Sequence, residues 1–165
     1  MKLEQAKLQF IQTWGNFGSQ WGINRSMAQV HAILLVSDHS LCTEDVMASL
    51  GISRGNANMN LRELMNWNLI YKESVIGDRR EFFRAEKDMW EVAKRIVKER
   101  KRRELEPLQH HLAELKKVEQ SYESISFVAT IENIERLVNR LDGLSNTLMK
   151  ADEHVFFGKI LNMFK

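Results

Sequence analysis

The stretch Thr43-Glu44-Asp45-Val46-Met47-Ala48-Ser49-Leu50-Gly51-Ile52-Ser53-Arg54-Gly55-Asn56-Ala57-Asn58-Met59-Asn60-Leu61-Arg62-Glu63-Leu64 decides the fold. Thr43 offers a hydroxyl cap, and Glu44 and Asp45 place negative charge where a helix N-terminus favours it. Val46, Met47 and Leu50 give that short helix an apolar face. Gly51 then supplies the left-handed backbone that ends it, Ile52 anchors the turn, and Ser53 caps a second helix running to about Trp67. Two short helices joined by about three residues including a glycine form a helix-turn-helix signature. In the second helix Ala57, Leu61 and Leu64 recur at helical spacing and must face a core. Arg54, Gly55, Asn56, Asn58, Met59 and Arg62 therefore point outward. Arginine can donate two hydrogen bonds to guanine, and asparagine can pair with adenine through its donor and acceptor together. Gly55 carries no side chain, so backbone N–H groups near the helix start can approach a phosphate. Asparagines at 56, 58, 60 and 66 are poor helix formers, so something other than propensity favours them here.

Downstream, residues 69–76 and 80–85 read as two strands flanking Gly77-Asp78-Arg79, a hairpin whose tip carries Arg79 and Arg80. Long basic side chains there suit a minor groove or phosphates. A basic hairpin following a helix-turn-helix makes a wing.

Upstream, Leu3, Ala6, Phe10, Trp14, Phe17 and Trp21 fall at helical spacing as an aromatic stripe, with Gly15, Gly18 and Gly22 expected to loosen its end. Asn24 caps a second helix with a broad apolar face from Met27 to Leu35, and Asp38-His39-Ser40 reads as a break. Past the wing, Asp88 caps a long helix that Pro107 is expected to kink or divide. A hinge is expected around residues 121–126. Phe127, Ile131, Ile134, Val138, Leu141 and Leu148, widened by Leu137 and Leu144, then repeat in a pattern that suits a partner helix. A short last helix is expected to hold Phe156, Ile160 and Met163. The expected class is mainly α with a small β-hairpin wing.

Charge is unevenly placed. Residues 1–75 balance, residues 76–103 carry 11 basic against 6 acidic side chains, and the remainder is acidic. Such a local excess is what phosphate binding needs, although the run Lys98-Glu99-Arg100-Lys101-Arg102-Arg103 points in several directions on a helix and reads equally as a solvated face. No apolar run approaches the roughly 18 residues of a membrane span, and the N-terminus lacks a signal peptide's apolar core. With one cysteine, Cys42, these features predict a cytoplasmic protein.

Residues 21–26, the run from Leu50 to Leu64, Trp67-Asn68-Leu69-Ile70, the wing and Met89-Trp90-Glu91 resemble the GbsR-type branch of the MarR family of regulators. The resemblance covers half to two-thirds of the chain, and the C-terminal third shares only helical character. It implies a homodimer with a winged helix on each subunit and a dimer core built by helices from both chain ends. It also implies DNA reading by Arg54, Asn56, Asn58, Met59 and Arg62, with wing contacts from Arg79 and Arg80. Asn68 stands where the family often has glycine, and asparagine tolerates the left-handed backbone required there. The organisation implied is residues 1–22 as a helix contributing to dimerisation, 23–87 as the winged helix-turn-helix and 88–165 as a helical dimerisation region. The functional expectation is a repressor that binds double-stranded DNA at a near-palindromic operator and responds to a small-molecule effector, whose binding residues remain unknown.

Other readings weigh less. Trp14, Phe17, Trp21 and Trp90 as a cation–π cage compete with a plain core or dimer interface. His31, His39, His110, His111 and His154 include no i, i+4 pair, so no metal site is expected, nor any cofactor. Cys42 at a helix N-terminus suits either a thiol-based redox sensor or burial as a small apolar residue. No nucleophile–base pair or phosphate-binding glycine loop suggests an enzyme. A winged helix can also serve as a protein-interaction module.

Overall fold

A computed structural model describes residues 1–152; the helix expected around Phe156, Ile160 and Met163 lies outside them. The helices are α1 (Leu3–Gln20), α2 (Arg25–Val36), α3 (Thr43–Leu50), α4 (Arg54–Asn66), α5 (Met89–Arg100), α6 (Glu106–Leu115) and α7 (Tyr122–Lys150). Strands β1 (Leu41–Cys42), β2 (Ile70–Glu73) and β3 (Phe82–Ala85) form an antiparallel sheet in the order β1-β3-β2. The mainly helical class with a β-hairpin is borne out. The chain divides into two compact units, Met1–Val92 and Ala93–Lys165.

In the first unit α1 packs along α2, so the first 22 residues belong to the same body as the helix-turn-helix. The aromatic stripe is not what α1 buries. Its buried positions are Ile11, Gly15 and Gly18, and the two glycines sit inside the helix rather than loosening its end. A Cβ on Gly18 would stand 2.6 Å from Ala28 Cβ, and one on Gly15 would stand 2.6 Å from Gln29 Cγ. The close approach of two helices thus outweighs the roughly 1 kcal/mol that glycine costs in a helix. Asn24 caps α2 as expected, its Oδ1 accepting from Met27 N at 3.2 Å. Val30, Leu34, Val46, Leu61, Leu64, Leu69, Ile70, Phe83 and Val92 close the core.

Strand β1 was not foreseen. Leu41 and Cys42 pair with Phe83 and Phe82, and a two-residue strand is too short to show a period of two. The hairpin strands are also shorter than expected, and residues 74–81 form the loop between them. Cys42, not Thr43, occupies the N-cap of α3, with its N–H donating to Asp45 Oδ2 at 2.9 Å.

In the second unit a π turn over Lys101–Leu105 joins α5 to α6. Pro107 has no N–H to give to the carbonyl four residues back, and the ladder widens instead, Glu106 N–H donating to Lys101 O. The segment around 121–126, expected as a hinge, holds the start of α7. Ser121 and Ser124 exchange hydrogen bonds of 3.1 and 2.9 Å as a reciprocal cap of α7. The long apolar repeat of α7 splits in two: Ile131 and Val138 pack on Leu112 and Leu105, whereas Phe127, Ile134, Leu137, Leu141 and Leu144 are exposed.

Candidate nucleic-acid interface

Gly51 adopts φ 63° and donates to Met47 O at 2.9 Å, which ends α3 and turns the chain. Two residues later Ser53 Oγ accepts from Asn56 N at 3.3 Å and starts α4. Ala57, Leu61 and Leu64 are buried, which fixes the rotation of α4 and turns Arg54, Gly55, Asn58, Met59 and Arg62 to the exterior. Met59 is 60% exposed. Space beside Gly55 is open, with nothing within 4 Å of where a Cβ would sit. Asn56 is half-buried.

Hydrogen bonds hold this surface in place. Glu44 of α3 accepts from Arg54 Nη2 at 2.7 Å, and its carboxyl pKa is lowered first by its own backbone N–H, then by the Cys42 side chain and by Arg54. Thr43 Oγ1 donates to Asn58 Oδ1 at 3.1 Å. Asn60 is buried, and its Nδ2 donates to the Asn56 carbonyl at 3.0 Å and also to Asn56 Oδ1. Among the described residues Arg62 has no ion-pair partner.

The two wing arginines differ. Gly77, at φ 87°, shapes the loop, and Arg79 extends into solvent without an ion-pair partner among the described residues. Arg80 folds back: it grips the Asp78 carboxylate at 2.6 Å, donates to Cys42 Sγ at 3.4 Å and lies 5.2 Å above the Phe82 ring. Its guanidinium holds Asp78 down to about 2. Arg80 therefore braces the wing base while staying half-exposed. Lys72 pairs with Glu81 and Arg84 lies 3.8 Å from Glu73, so the hairpin stem is charge-balanced. Asn68, before β2, has φ 56°, the left-handed conformation expected of it.

Four of the five basic side chains of 98–103 contact a carboxylate. Arg102 and Arg103 both reach Glu99, Arg100 reaches Glu104 at 3.0 Å, and Lys101 reaches Asp142 at 3.0 Å. Cys42 is fully buried, and burial pushes its thiol pKa up, away from the thiolate a redox sensor needs. No group of three or more metal-ligating side chains occurs among the described residues, and no described helix is long and apolar enough to cross a membrane.

A solved structure described as that of a transcriptional regulator matches with a TM-score of 0.68, covering 87% of this chain and 95% of its own at 17% identity. The fold is a winged helix-turn-helix. A mutant of S. aureus MepR bound to an oligodeoxyribonucleotide aligns over 84% of this chain and 92% of its own, at 15% identity and a TM-score of 0.41. No family model matches the sequence, and no curated protein matches it. Within this winged helix, sequence reasoning found the outward residues of α4 but missed Thr43, Glu44 and Asn60, which hold them. Thr43 and Asn58 lie 15 positions apart and meet only because α3 crosses α4, so no local pattern marks the pair.

Proposed function

We propose that this chain is a sequence-specific, double-stranded-DNA-binding transcriptional regulator of the MarR type, in its GbsR-like branch. The carrying observation is the outward edge of α4, where Arg54, Asn56, Asn58, Met59 and Arg62 stand together on a helix otherwise buried against a core. Arginine and amide side chains on an exposed helix of about 10–12 Å diameter fit a major groove about 12 Å wide. Arg79 at the wing tip reaches the flanking backbone or minor groove, and Arg80 supports it from the wing base. The N-terminus of α4, open beside Gly55, offers backbone N–H groups to a phosphate.

The chain acts as a homodimer in the cytoplasm. Phe10, Trp14, Phe17 and Trp21 form a ladder along α1 with ring centroids 5.5–5.9 Å apart, and Phe17 and Trp21 remain exposed. The exposed stripe on α7 is the second surface that supports self-association. A two-fold dimer sets two copies of α4 about one helical turn apart on a near-palindromic operator. Repression by promoter occlusion and release by a small-molecule effector complete the reading, and both rest on the sequence resemblance.

An electrophoretic shift against DNA upstream of the protein's own operon, titrated with salt, tests it. Discrete complexes whose log affinity falls linearly with log salt are expected. Arg62→Ala should weaken operator binding by roughly 1–3 kcal/mol while leaving random DNA much less affected. No shift at low salt would favour a protein-interaction module instead.

A further inference from the structure

We propose that α4 favours the keto-bearing bases guanine and thymine over adenine at the positions its asparagines meet, because the amide oxygens of Asn56 and Asn58 are turned to partners inside the protein. The inference rests on the DNA-binding reading above and names its target chemistry. Three acceptor groups border the edge. Glu44 accepts from Arg54 at 2.7 Å, Asn58 Oδ1 accepts from Thr43 Oγ1 at 3.1 Å, and Asn56 Oδ1 accepts from Asn60 Nδ2. The Asn60 amide cannot be turned over without loss, since the same Nδ2 donates to the Asn56 backbone carbonyl at 3.0 Å. With Asn60 fixed, the Asn56 atom facing it must be the oxygen.

What α4 itself turns outward is donors: the N–H groups of Arg54 not held by Glu44, Nδ2 of Asn56 and Asn58, and the guanidinium of Arg62. In the major groove guanine presents two acceptors, N7 and O6, and thymine presents O4 beside its methyl group. Adenine sets an N6 donor next to its N7, and cytosine presents an N4 donor. Amides that offer only Nδ2 meet the first two favourably and set donor against donor at adenine N6 and cytosine N4. Met59, 60% exposed in the middle of this edge, suits a thymine methyl. The bidentate asparagine–adenine pairing that residue type alone suggests needs Oδ1 beside Nδ2 at the base edge, and in both asparagines Oδ1 is turned away to an internal partner. Thr43 and Asn60 are thus positioning residues that set specificity without touching DNA.

The test is selection of bound fragments from random DNA by the full chain and by Asn56→Ala, Asn58→Ala, Thr43→Val and Thr43→Ser, with each variant's melting curve and salt slope measured alongside. Each asparagine variant should relax one half-site position at which the parent selects guanine or thymine, and adenine there should cost the parent roughly tenfold in affinity. Thr43→Val frees Asn58 Oδ1, so adenine should become tolerated at that one position with melting and salt slope unchanged, whereas Thr43→Ser should keep the parental preference. Adenine selected at the asparagine positions, no position relaxed in either alanine variant, or a Thr43→Val preference identical to the parent's would overturn the inference and leave DNA binding standing. Absence of any enriched sequence with the parent protein would remove the proposed function, and the inference with it.

Discussion

His31 should make the fold acid-sensitive in a measurable window. It lies in α2, 3% exposed, with its ring 6.2 Å from Trp14 and its Nε2 without a hydrogen-bond partner. Burial, reinforced by the Lys87 charge, lowers its pKa from 6.5 to about 4. Because the folded value lies below the unfolded one, the unfolded chain binds the extra proton between those two pH values. Stability is therefore full above pH 6.5 and is lost as pH falls. Integrating that linkage gives a loss of about 2 kcal/mol at pH 5 relative to pH 7.5, rising toward about 3 kcal/mol below pH 4. His31→Leu removes the titrating group and the orphaned nitrogen, so it should be no less stable at pH 7.5. Urea unfolding of both proteins at pH 7.5 and pH 5 isolates the effect, since every other titrating group cancels in the difference. The variant's advantage should grow by about 2 kcal/mol, roughly 1 M in midpoint. A stability difference that stays constant between the two pH values would show that His31 takes up its proton freely in the folded state, and the burial argument would fall.

Gly18→Ala should destabilise by about 1–3 kcal/mol in thermal unfolding, because the new methyl meets Ala28 Cβ at 2.6 Å and α1 must back away from α2; an unchanged melting curve would mean the helices part freely. Arg79→Ala should reduce the salt slope of DNA binding by about one without altering the selected sequence, and an unchanged slope would remove the wing tip from the phosphate-binding set. Cys42→Ser should cost about 1–2 kcal/mol of stability by burying a hydroxyl, yet the parent's DNA affinity should be equal with and without oxidant. Oxidant-dependent binding in the parent that disappears in this variant would restore the redox reading.

The fold was legible where local chemistry acts alone. Asn24, Ser53 and Asp88 all announce helix starts by capping, and Asp88 Oδ1 accepts from Trp90 N at 2.9 Å as its position suggests. Gly51 announces a left-handed turn and is found in one, and the left-handed backbone that the family resemblance implies at Asn68 is found as well. What was hidden depends on partners distant in sequence. Gly15 and Gly18 look like breakers until α2 is laid against them. Leu41 and Cys42 become a strand only because β3 passes alongside. The apolar repeat of α7 reads as one stripe, yet packing on α6 consumes only Ile131 and Val138 of it. The basic run reads equally as a phosphate-binding patch or a solvated face, and its pairing with Asp142, more than forty positions away, is invisible to local pattern. At the candidate interface the outward residues could be read from the 3.6-residue period. Which of their atoms are free could not, because that is decided by Thr43, Glu44 and Asn60.

DNA binding as proposed depends on one surface, the outer edge of α4, meeting base edges. Met59 stands in the middle of that edge and is exposed, so its replacement by the photo-crosslinker p-benzoylphenylalanine should leave the core intact. Irradiation of that variant on DNA bearing its selected site should attach the protein to bases within the site, and the same replacement at Tyr122 in α7 should not. Bound DNA that never crosslinks through position 59 would contradict the account.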